Sequence, residues 1–409
     1  MAKIDNYVSK LLYKDDSNSY TILTYIDLNE VLSSEFMFNY VKEITEKNPI
    51  LKKYFFEKNN EIFLEYDTTF NIKEYYTIEN TRSEQFDEYM YDMLNSEFDK
   101  KIKWKFLWLI DENTKKTRVY FKIHHSYLDG ENLISMLVSP FKTNDNSNKF
   151  KRNTTFLNTL YYYLIGTILL IITNVKIIFG IFIQTIYKNN EPILPEKSVS
   201  DTNYIICKPF HLNKVKCFTK KNNITINDFL YSLIIKTDKL YRKKEKKIIT
   251  LSPCYIPSSS ETINVCPIFI EMNNSHDNST LLKKVNETFN SFKYSLFIPL
   301  FSFVLNQITS FLNINTLIFL YKYFLNKIDY TLTNIIGPSI EELNENYKIK
   351  ISDMRFLIAS KSNEVIYNIV SSGNNINIIC SFKKGVIKNK KRFEKCIYKA
   401  YKQLIKNNL

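Results

Sequence analysis

Glycine is scarce in this chain of 409 residues, which contains only 6. No glycine-rich phosphate-binding loop can be traced in it. Histidine is rarer still, with 4 residues, and the 6 cysteines are dispersed without a CxxC pair. This spacing argues against zinc-finger and redox-pair sites, so we expect no metal site.

The N-terminal sequence lacks the apolar core of a signal peptide over residues 1–15. We therefore expect a protein that is not secreted and that faces the reducing, cytosolic side. Hydrophobic and charged contents of 44% and 24% are those of a folded protein, and the length suits two domains.

Positive charge and aromatic residues are abundant. The net charge is +14, and the chain has 29 Tyr and 30 Phe. A basic balance favours anionic partners, namely nucleic acid, acidic lipid headgroups or a phosphate-bearing cofactor. Because no nucleic-acid-binding motif accompanies the lysine-rich stretches, we expect no nucleic acid partner. The aromatic residues suit an apolar tunnel or a membrane surface, although a compositional bias explains them equally well.

Three segments can be distinguished along the chain. Residues 1–150 alternate strands and helices and form a first α/β subdomain, whereas residues 196–409 have the content of a second. Between them lies a hydrophobic crossover segment, residues 151–195. Its stretch 153–187 contains one charged residue, Lys176, and three interpretations stay open: a membrane span, an interfacial helix or hairpin, and buried helices.

A predicted hairpin of the first subdomain ends in two histidines. Its second strand, Thr117 to His125, alternates so that Ile123 and His125 share one face while Lys122 and His124 share the other. The alternation predicts that His125 is on the buried side. Adjacent histidines on a strand point to opposite faces and make a poor metal pair, whereas a histidine with a pKa near 6.5 suits proton transfer.

The run from His124 to Gly130 reads His-His-x-x-x-Asp-Gly and lies between a strand and a helix. It resembles the signature of the CoA-dependent acyltransferase superfamily, which includes chloramphenicol acetyltransferase and the condensation domains of peptide synthetases. The resemblance implies that His125 is the catalytic base, that His124 supports the site, that Asp129 is structural and that Gly130 permits a tight turn.

The flanking elements are similar to those of the wax ester synthase/diacylglycerol acyltransferase group. The similarity implies substrate contacts at three places, which are Trp104 before the hairpin, Asn227 and Asp228 in Ile-Thr-Ile-Asn-Asp, and Thr333, Asn334, Gly337 and Pro338 in Thr-Asn-Ile-Ile-Gly-Pro. Plainer interpretations stay open for each. Trp104 suits a core, Asn227 and Asp228 suit the first turn of a helix capped by Thr225, and Gly337-Pro338 suits a turn.

This resemblance implies an α/β fold of two chloramphenicol-acetyltransferase-like subdomains with a tunnel at their interface. It implies direct acyl transfer from acyl-CoA, a co-substrate, to a long-chain alcohol or diacylglycerol. No bound cofactor is expected, and the enzyme is expected on the cytosolic face of a membrane or on a lipid droplet. Two alternatives stay open: another enzyme of this superfamily acting on a small alcohol or amine, and a non-catalytic lipid-binding relative.

Overall fold

The fold is described from a computed structural model. It covers residues 2–4, 7–14, 20–59, 61–141, 161–176, 201–255, 265–347, 349–360 and 364–406. Most of the crossover segment, including residues 153–160 and 177–187 of its apolar stretch, lies outside these ranges.

The first subdomain alternates strands and helices as its sequence predicts. In chain order the elements are β1 (Ala2–Lys3), α1 (Tyr7–Lys14), β2 (Thr21–Leu28), α2 (Ser34–Lys47), β3 (Lys53–Lys58), β4 (Glu61–Tyr66), β5 (Tyr76–Asn80), α3 (Phe86–Asn95), β6 (Trp104–Asp111), β7 (Lys116–His124) and α4 (Gly130–Val138).

A helix at residues 161–176, here α5, precedes the second subdomain. The elements that follow are β8 (Thr202–Ile206), β9 (Phe210–His211), α6 (Leu212–Lys221), α7 (Ile226–Arg242), β10 (Lys247–Tyr255), β11 (Val265–Asn273), α8 (Asn278–Tyr294), α9 (Phe297–Phe311), α10 (Ile314–Leu325), β12 (Tyr330–Ile336), α11 (Ile340–Tyr347), β13 (Ile351–Ile358), β14 (Val365–Ser372), β15 (Asn375–Lys383) and α12 (Lys390–Lys406).

Two large sheets organise the molecule. The first has the order β13-β2-β7-β6-β5, and the second has the order β11-β10-β12-β14-β15-β8, with β9 also paired to β15. The predicted α/β class and its two sheet-rich subdomains are confirmed. A small third sheet has the order β1-β4-β3.

Strand β13 crosses between the subdomains. It follows the second subdomain's helices in sequence, yet it pairs antiparallel with β2 at the edge of the first sheet. Asn368 of β14 fixes this crossing, because its buried carboxamide accepts from the Ile358 N–H at 3.0 Å and donates to the Ile379 carbonyl at 3.0 Å. Strand β13 is therefore part of the first sheet, although its neighbours along the chain, α11 and β14, belong to the second subdomain.

Both faces of the first sheet are covered. Met37 and Val41 of α2 and Leu133 of α4 pack on one face, while Met90 and Leu94 of α3 pack on the other. Because β7 is central in this sheet, its residues from Val119 to His124 are all buried. This is why strand alternation does not separate buried from exposed side chains at the histidines.

Helix α5 exposes apolar side chains on most of its surface. Only a narrow stripe with Thr167, Leu170 and Asn174 faces the protein, and the Thr167 hydroxyl accepts from the Leu296 N–H at 2.9 Å. None of the described helices has both the length and the apolar run needed to cross a bilayer.

Candidate active site

The two histidines lie where β7 meets the turn that leads into α4, here called the histidine turn, residues 124–129. The His125 N–H donates to the Tyr20 carbonyl at 2.7 Å, and the His124 N–H donates to the Lys103 carbonyl at 2.9 Å. Backbone hydrogen bonds to neighbouring segments therefore hold both residues at the end of β7.

His125 has one ring nitrogen engaged by the protein. Its Nδ1 lies 2.9 Å from the Leu128 carbonyl oxygen. A carbonyl oxygen can only accept, so Nδ1 carries the proton and the neutral ring presents the lone pair at Nε2. Burial lowers the pKa of His125, while the hydrogen bond to Leu128 and the Asp129 carboxylate oppose this effect. The neutral ring at pH 7 can accept a proton at Nε2.

His124 has the opposite tautomer. The Ser126 N–H donates to its Nδ1 at 3.3 Å, so the ring proton is on Nε2, which has no hydrogen-bond partner among the described residues. The Ser126 hydroxyl lies 2.8 Å from the same Nδ1. Burial, reinforced by Lys103 and His125, lowers the pKa of His124 well below its ordinary value. This ring is neutral and supports the turn.

The burial predicted for this pair is wrong. His124 is fully buried, whereas His125 is partly exposed because β7 ends at His124 and the chain turns outward. A partly exposed ring is what contact with a substrate requires, so the correction leaves His125 the more accessible of the two.

Asp129 is the N-cap of α4. Its carboxylate accepts from the Asn132 backbone N–H at 2.8 Å and from the Asn132 side chain at 3.1 Å. Such a cap satisfies helix N–H groups that would otherwise lack partners, and a carboxylate there is favoured by the helix dipole. Asp129 thus fixes the start of α4 and the end of the histidine turn.

Gly130 touches the second subdomain. Its φ is not in the left-handed region, so the turn does not depend on that conformation at this residue. Instead, a Cβ at this position would lie 2.3 Å from Cδ1 of Ile335 on β12. Glycine is required by the close approach of the histidine turn to β12, which brings the two subdomains together at this point.

The second subdomain presents Thr333 toward the first. Thr333 and Ile335 share one face of β12, and Ile335 packs in the first subdomain's core. Asn334 points to the opposite face, where its Nδ2 donates to Oδ1 of Asn227 at 2.5 Å. The structure therefore joins the two predicted asparagines to each other and leaves Thr333 on the face toward the histidine turn.

Three of the residues predicted as substrate contacts have structural roles in the fold. Trp104 is 1% exposed, and its indole N–H donates to the Leu51 carbonyl at 2.8 Å, so it is a core residue. Asp228 is fully buried and forms a capping box with Thr225. The Gly337 N–H donates to the Ser371 carbonyl at 2.7 Å, and a Cβ there would meet the same oxygen.

Pro338 continues this packing at the end of β12. Its carbonyl accepts from the Gly373 N–H at 3.4 Å and from the Ser372 hydroxyl at 3.4 Å. Gly337 and Pro338 thus attach the end of β12 to β14. Within the described ranges, no three His, Cys, Asp or Glu side chains come together as metal ligands would.

Two groups of the site were not predicted from the sequence. They are the Leu128 carbonyl, which sets the His125 tautomer, and Ser126, which sets that of His124. No side-chain pattern signals a carbonyl acceptor, although the serine next to the histidines is visible in the sequence.

Part of the second subdomain matches a known family model. Residues 262–405 match the model of the WS/DGAT C-terminal domain. The resemblance to wax ester synthases and diacylglycerol acyltransferases is thereby confirmed. No curated protein sequence matches the chain.

Solved structures share the whole fold. A wax ester synthase/diacylglycerol acyltransferase from Marinobacter aquaeolei has a TM-score of 0.60 at 10% identity, covering 98% of both chains. A trichothecene 15-O-acetyltransferase from Fusarium sporotrichioides has 0.68 at 8% identity, covering 99% of this chain and 94% of that one. The first condensation domain of the calcium-dependent antibiotic synthetase has 0.63 at 7% identity, covering 98% and 93%. These likenesses show that the chain has the fold that the three proteins share.

The contact between Gly130 and Ile335 can be tested by a double-mutant cycle. Gly130→Ala should destabilise the protein by about 1–3 kcal/mol through overpacking. Ile335→Val removes Cδ1, the atom that a Cβ would meet, and leaves Cγ1 at 3.4 Å. Gly130→Ala should therefore be nearly neutral when it is combined with Ile335→Val, as measured by urea unfolding.

Gly337→Ala is the matched control for this cycle. A Cβ at this position would lie 2.7 Å from the Ser371 backbone oxygen, and no change at Ile335 relieves that contact. The loss in free energy of unfolding on Gly337→Ala should therefore be the same with and without Ile335→Val. If the losses in free energy of unfolding for Gly130→Ala and Ile335→Val were additive in the double variant, the two residues would not be in contact.

Proposed function

We propose that this protein transfers a fatty acyl group from acyl-CoA to a lipophilic alcohol, a long-chain alcohol or diacylglycerol, with His125 as the general base. One observation carries the proposal: the hydrogen bond from Nδ1 of His125 to the Leu128 carbonyl, which leaves the Nε2 lone pair available. The product would be a wax ester or a triacylglycerol.

The proposed reaction needs one base and no covalent intermediate with the enzyme. Nε2 of His125 takes the hydroxyl proton while the alcohol oxygen bonds to the thioester carbonyl carbon. The tetrahedral intermediate then collapses, the C–S bond breaks, and the CoA thiolate takes the proton from Nε2 to leave as the free thiol. Because a thioester is already activated, acyl-CoA serves as co-substrate and no bound cofactor is required.

Oxyanion stabilisation is assigned to the second subdomain. The developing negative charge on the carbonyl oxygen needs a preorganised donor in a site that excludes water. The Thr333 hydroxyl is the candidate, because it lies on the face of β12 toward the histidine turn. Asn334 is less suited, since its side-chain N–H group donates to Asn227.

An apolar surface supports a lipophilic acceptor. Helices α5, α9 and α10 contain two charged residues, Lys176 and Lys322, and no acidic residue. Their exposed large apolar side chains are Tyr161, Tyr163, Leu164, Ile165, Ile168, Leu169, Ile171, Ile172, Val175, Leu300, Phe303, Val304 and Phe319. We infer that this surface, here called the apolar face, rests on the cytosolic side of a membrane or on a lipid droplet.

Helix α10, which carries part of the apolar face, contacts a residue that is hydrogen-bonded to His125. The ring of Tyr321 on α10 contacts the ring of Tyr20 at a centroid distance of 6.0 Å, and the Tyr20 carbonyl accepts from the His125 N–H. We infer that a lipid alcohol enters beside α10. A small polar acceptor would not need such a surface.

The base assignment is tested by His125→Ala in an assay of CoA release from palmitoyl-CoA with hexadecanol or diacylglycerol. Loss of a general base should lower kcat by roughly 100- to 10,000-fold. His211→Ala is the matched control, because that imidazole is exposed on β9 away from the histidine turn, and it should keep full activity.

Other outcomes separate the remaining functions. Turnover that survives His125→Ala would contradict the mechanism. Activity only with a small alcohol or an amine would place the protein elsewhere in the superfamily, and binding of lipid without turnover by any acceptor would favour a non-catalytic role.

Membrane contact is tested by flotation with vesicles of phosphatidylcholine, with and without phosphatidylserine. The triple variant Leu164→Asn, Ile168→Asn and Ile172→Asn alters exposed positions four residues apart on α5. Because each buried Leu or Ile contributes roughly 1.5–3 kcal/mol, the variant should remain in the unbound fraction.

The matched control for flotation is Leu164→Ile, Ile168→Leu and Ile172→Leu, which keeps the surface apolar and should float like the wild type. Asparagine is neutral, so a loss of binding cannot come from a change in charge. Equal flotation of both variants would remove α5 as the membrane contact.

A further inference from the structure

Lys122 is a buried cation that the proposed reaction does not use. It lies on β7 two residues before His124, on the same face of the strand, and is 2% exposed. A buried ammonium group is costly unless it is well paired. In the described part of the chain no carboxylate forms a salt bridge with it, so other groups stabilise its charge.

Its partners belong to the segment between α3 and β6, here called the covering loop, residues 96–103. Nζ of Lys122 donates to the Ser96 carbonyl at 2.6 Å and lies 2.9 Å from the Ser96 hydroxyl. Ser96 is the C-cap of α3, so the ammonium sits at the negative end of that helix dipole. It also lies 4.5 Å from the centroid of the Phe98 ring, a cation–π contact.

The covering loop extends over His124. The Phe98 ring meets the His124 ring edge-on at a centroid distance of 6.3 Å. At the far end of the loop, the Lys103 carbonyl accepts from the His124 N–H, and the Lys103 N–H donates to the Tyr127 hydroxyl at 3.4 Å. Lys122 fixes the start of the loop, and the histidine turn fixes its end.

We propose that Lys122 is a positioning residue that anchors the covering loop over His124 and thereby keeps the histidine turn in its catalytic geometry. The proposal rests on the acyl transfer proposed above. When the loop is anchored, His124 stays buried and neutral, with its Nδ1 accepting from the Ser126 N–H. The histidine turn then keeps its conformation and holds the His125 ring in place.

The anchor is sensitive to pH. Burial and, to a smaller extent, the charge of Lys105 lower the pKa of Lys122 to about 8, although Asp99 and Glu97 oppose the shift. Lys105 lies directly across from Lys122 on β6. The neutral amine forms weaker hydrogen bonds and no cation–π contact, so activity should fall as the pH rises through about 8.

The first experiment compares Lys122→Met and Lys122→Arg with the wild type. Lys122→Met should lower kcat by roughly 10- to 100-fold with little change in KM, because misplacement acts on the reacting geometry. Lys122→Arg keeps the charge and should recover part of kcat without the alkaline fall near pH 8. A Lys122→Met enzyme with wild-type kcat would overturn the proposal.

Two further variants leave Lys122 in place and shift the alkaline fall in opposite directions. Lys105→Met removes the facing like charge and should move the fall to higher pH. Ser96→Ala removes one acceptor from an exposed residue and should move it to lower pH. An alkaline fall that neither variant moves would also overturn the role of Lys122, even if Lys122→Met failed to fold.

Hydrogen–deuterium exchange separates this proposal from the proposed function. Lys122→Met should raise amide exchange in the covering loop and the histidine turn, with the second subdomain unchanged, whether or not any acceptor supports turnover. Unchanged exchange there would refute the anchor. If the wild type shows no turnover but Lys122→Met still raises amide exchange in the covering loop and the histidine turn, only the proposed reaction would be refuted.

Discussion

The hydrogen bond from Nδ1 of His125 to the Leu128 carbonyl is the contact on which the candidate site depends, because it determines which ring nitrogen holds the lone pair. It closes the histidine turn on itself, so the ring direction follows from backbone geometry. The Tyr20 carbonyl and the Asp129 cap hold the two ends of that turn. An imidazole fixed in this way needs no partner carboxylate to set its tautomer, since the backbone supplies the acceptor.

The turn is also where the two subdomains meet. Gly130 approaches β12 so closely that a methyl group there would collide with Ile335. In addition, β13 pairs with β2 of the first sheet, although the next strand along the chain, β14, lies in the second sheet. A reaction between two large substrates requires residues from both sides of an interface to hold fixed positions. The crossing strand and its buried Asn368 stabilise that arrangement.

The fold and the motif could be predicted from the sequence because both depend on local patterns. Alternation located β7, the second strand of the predicted hairpin, to within one residue at each end. The burial of His124 could not be predicted, since it arises from α3 and the covering loop, which are tertiary neighbours. The burial of Trp104 and Asp228 could not be predicted for a related reason: whether such a side chain is buried depends on what packs against it.

The most direct test of the account is nitrogen NMR of the imidazoles in protein labelled with 15N-histidine. Only four histidines are present, and His125→Ala identifies one signal. The account predicts that His125 at neutral pH has a proton on Nδ1 and none on Nε2, that His124 has the reverse, and that His125 becomes protonated only below pH 6.5, since burial lowers its pKa. A proton on Nε2 of His125, or titration above pH 6.5, would contradict it.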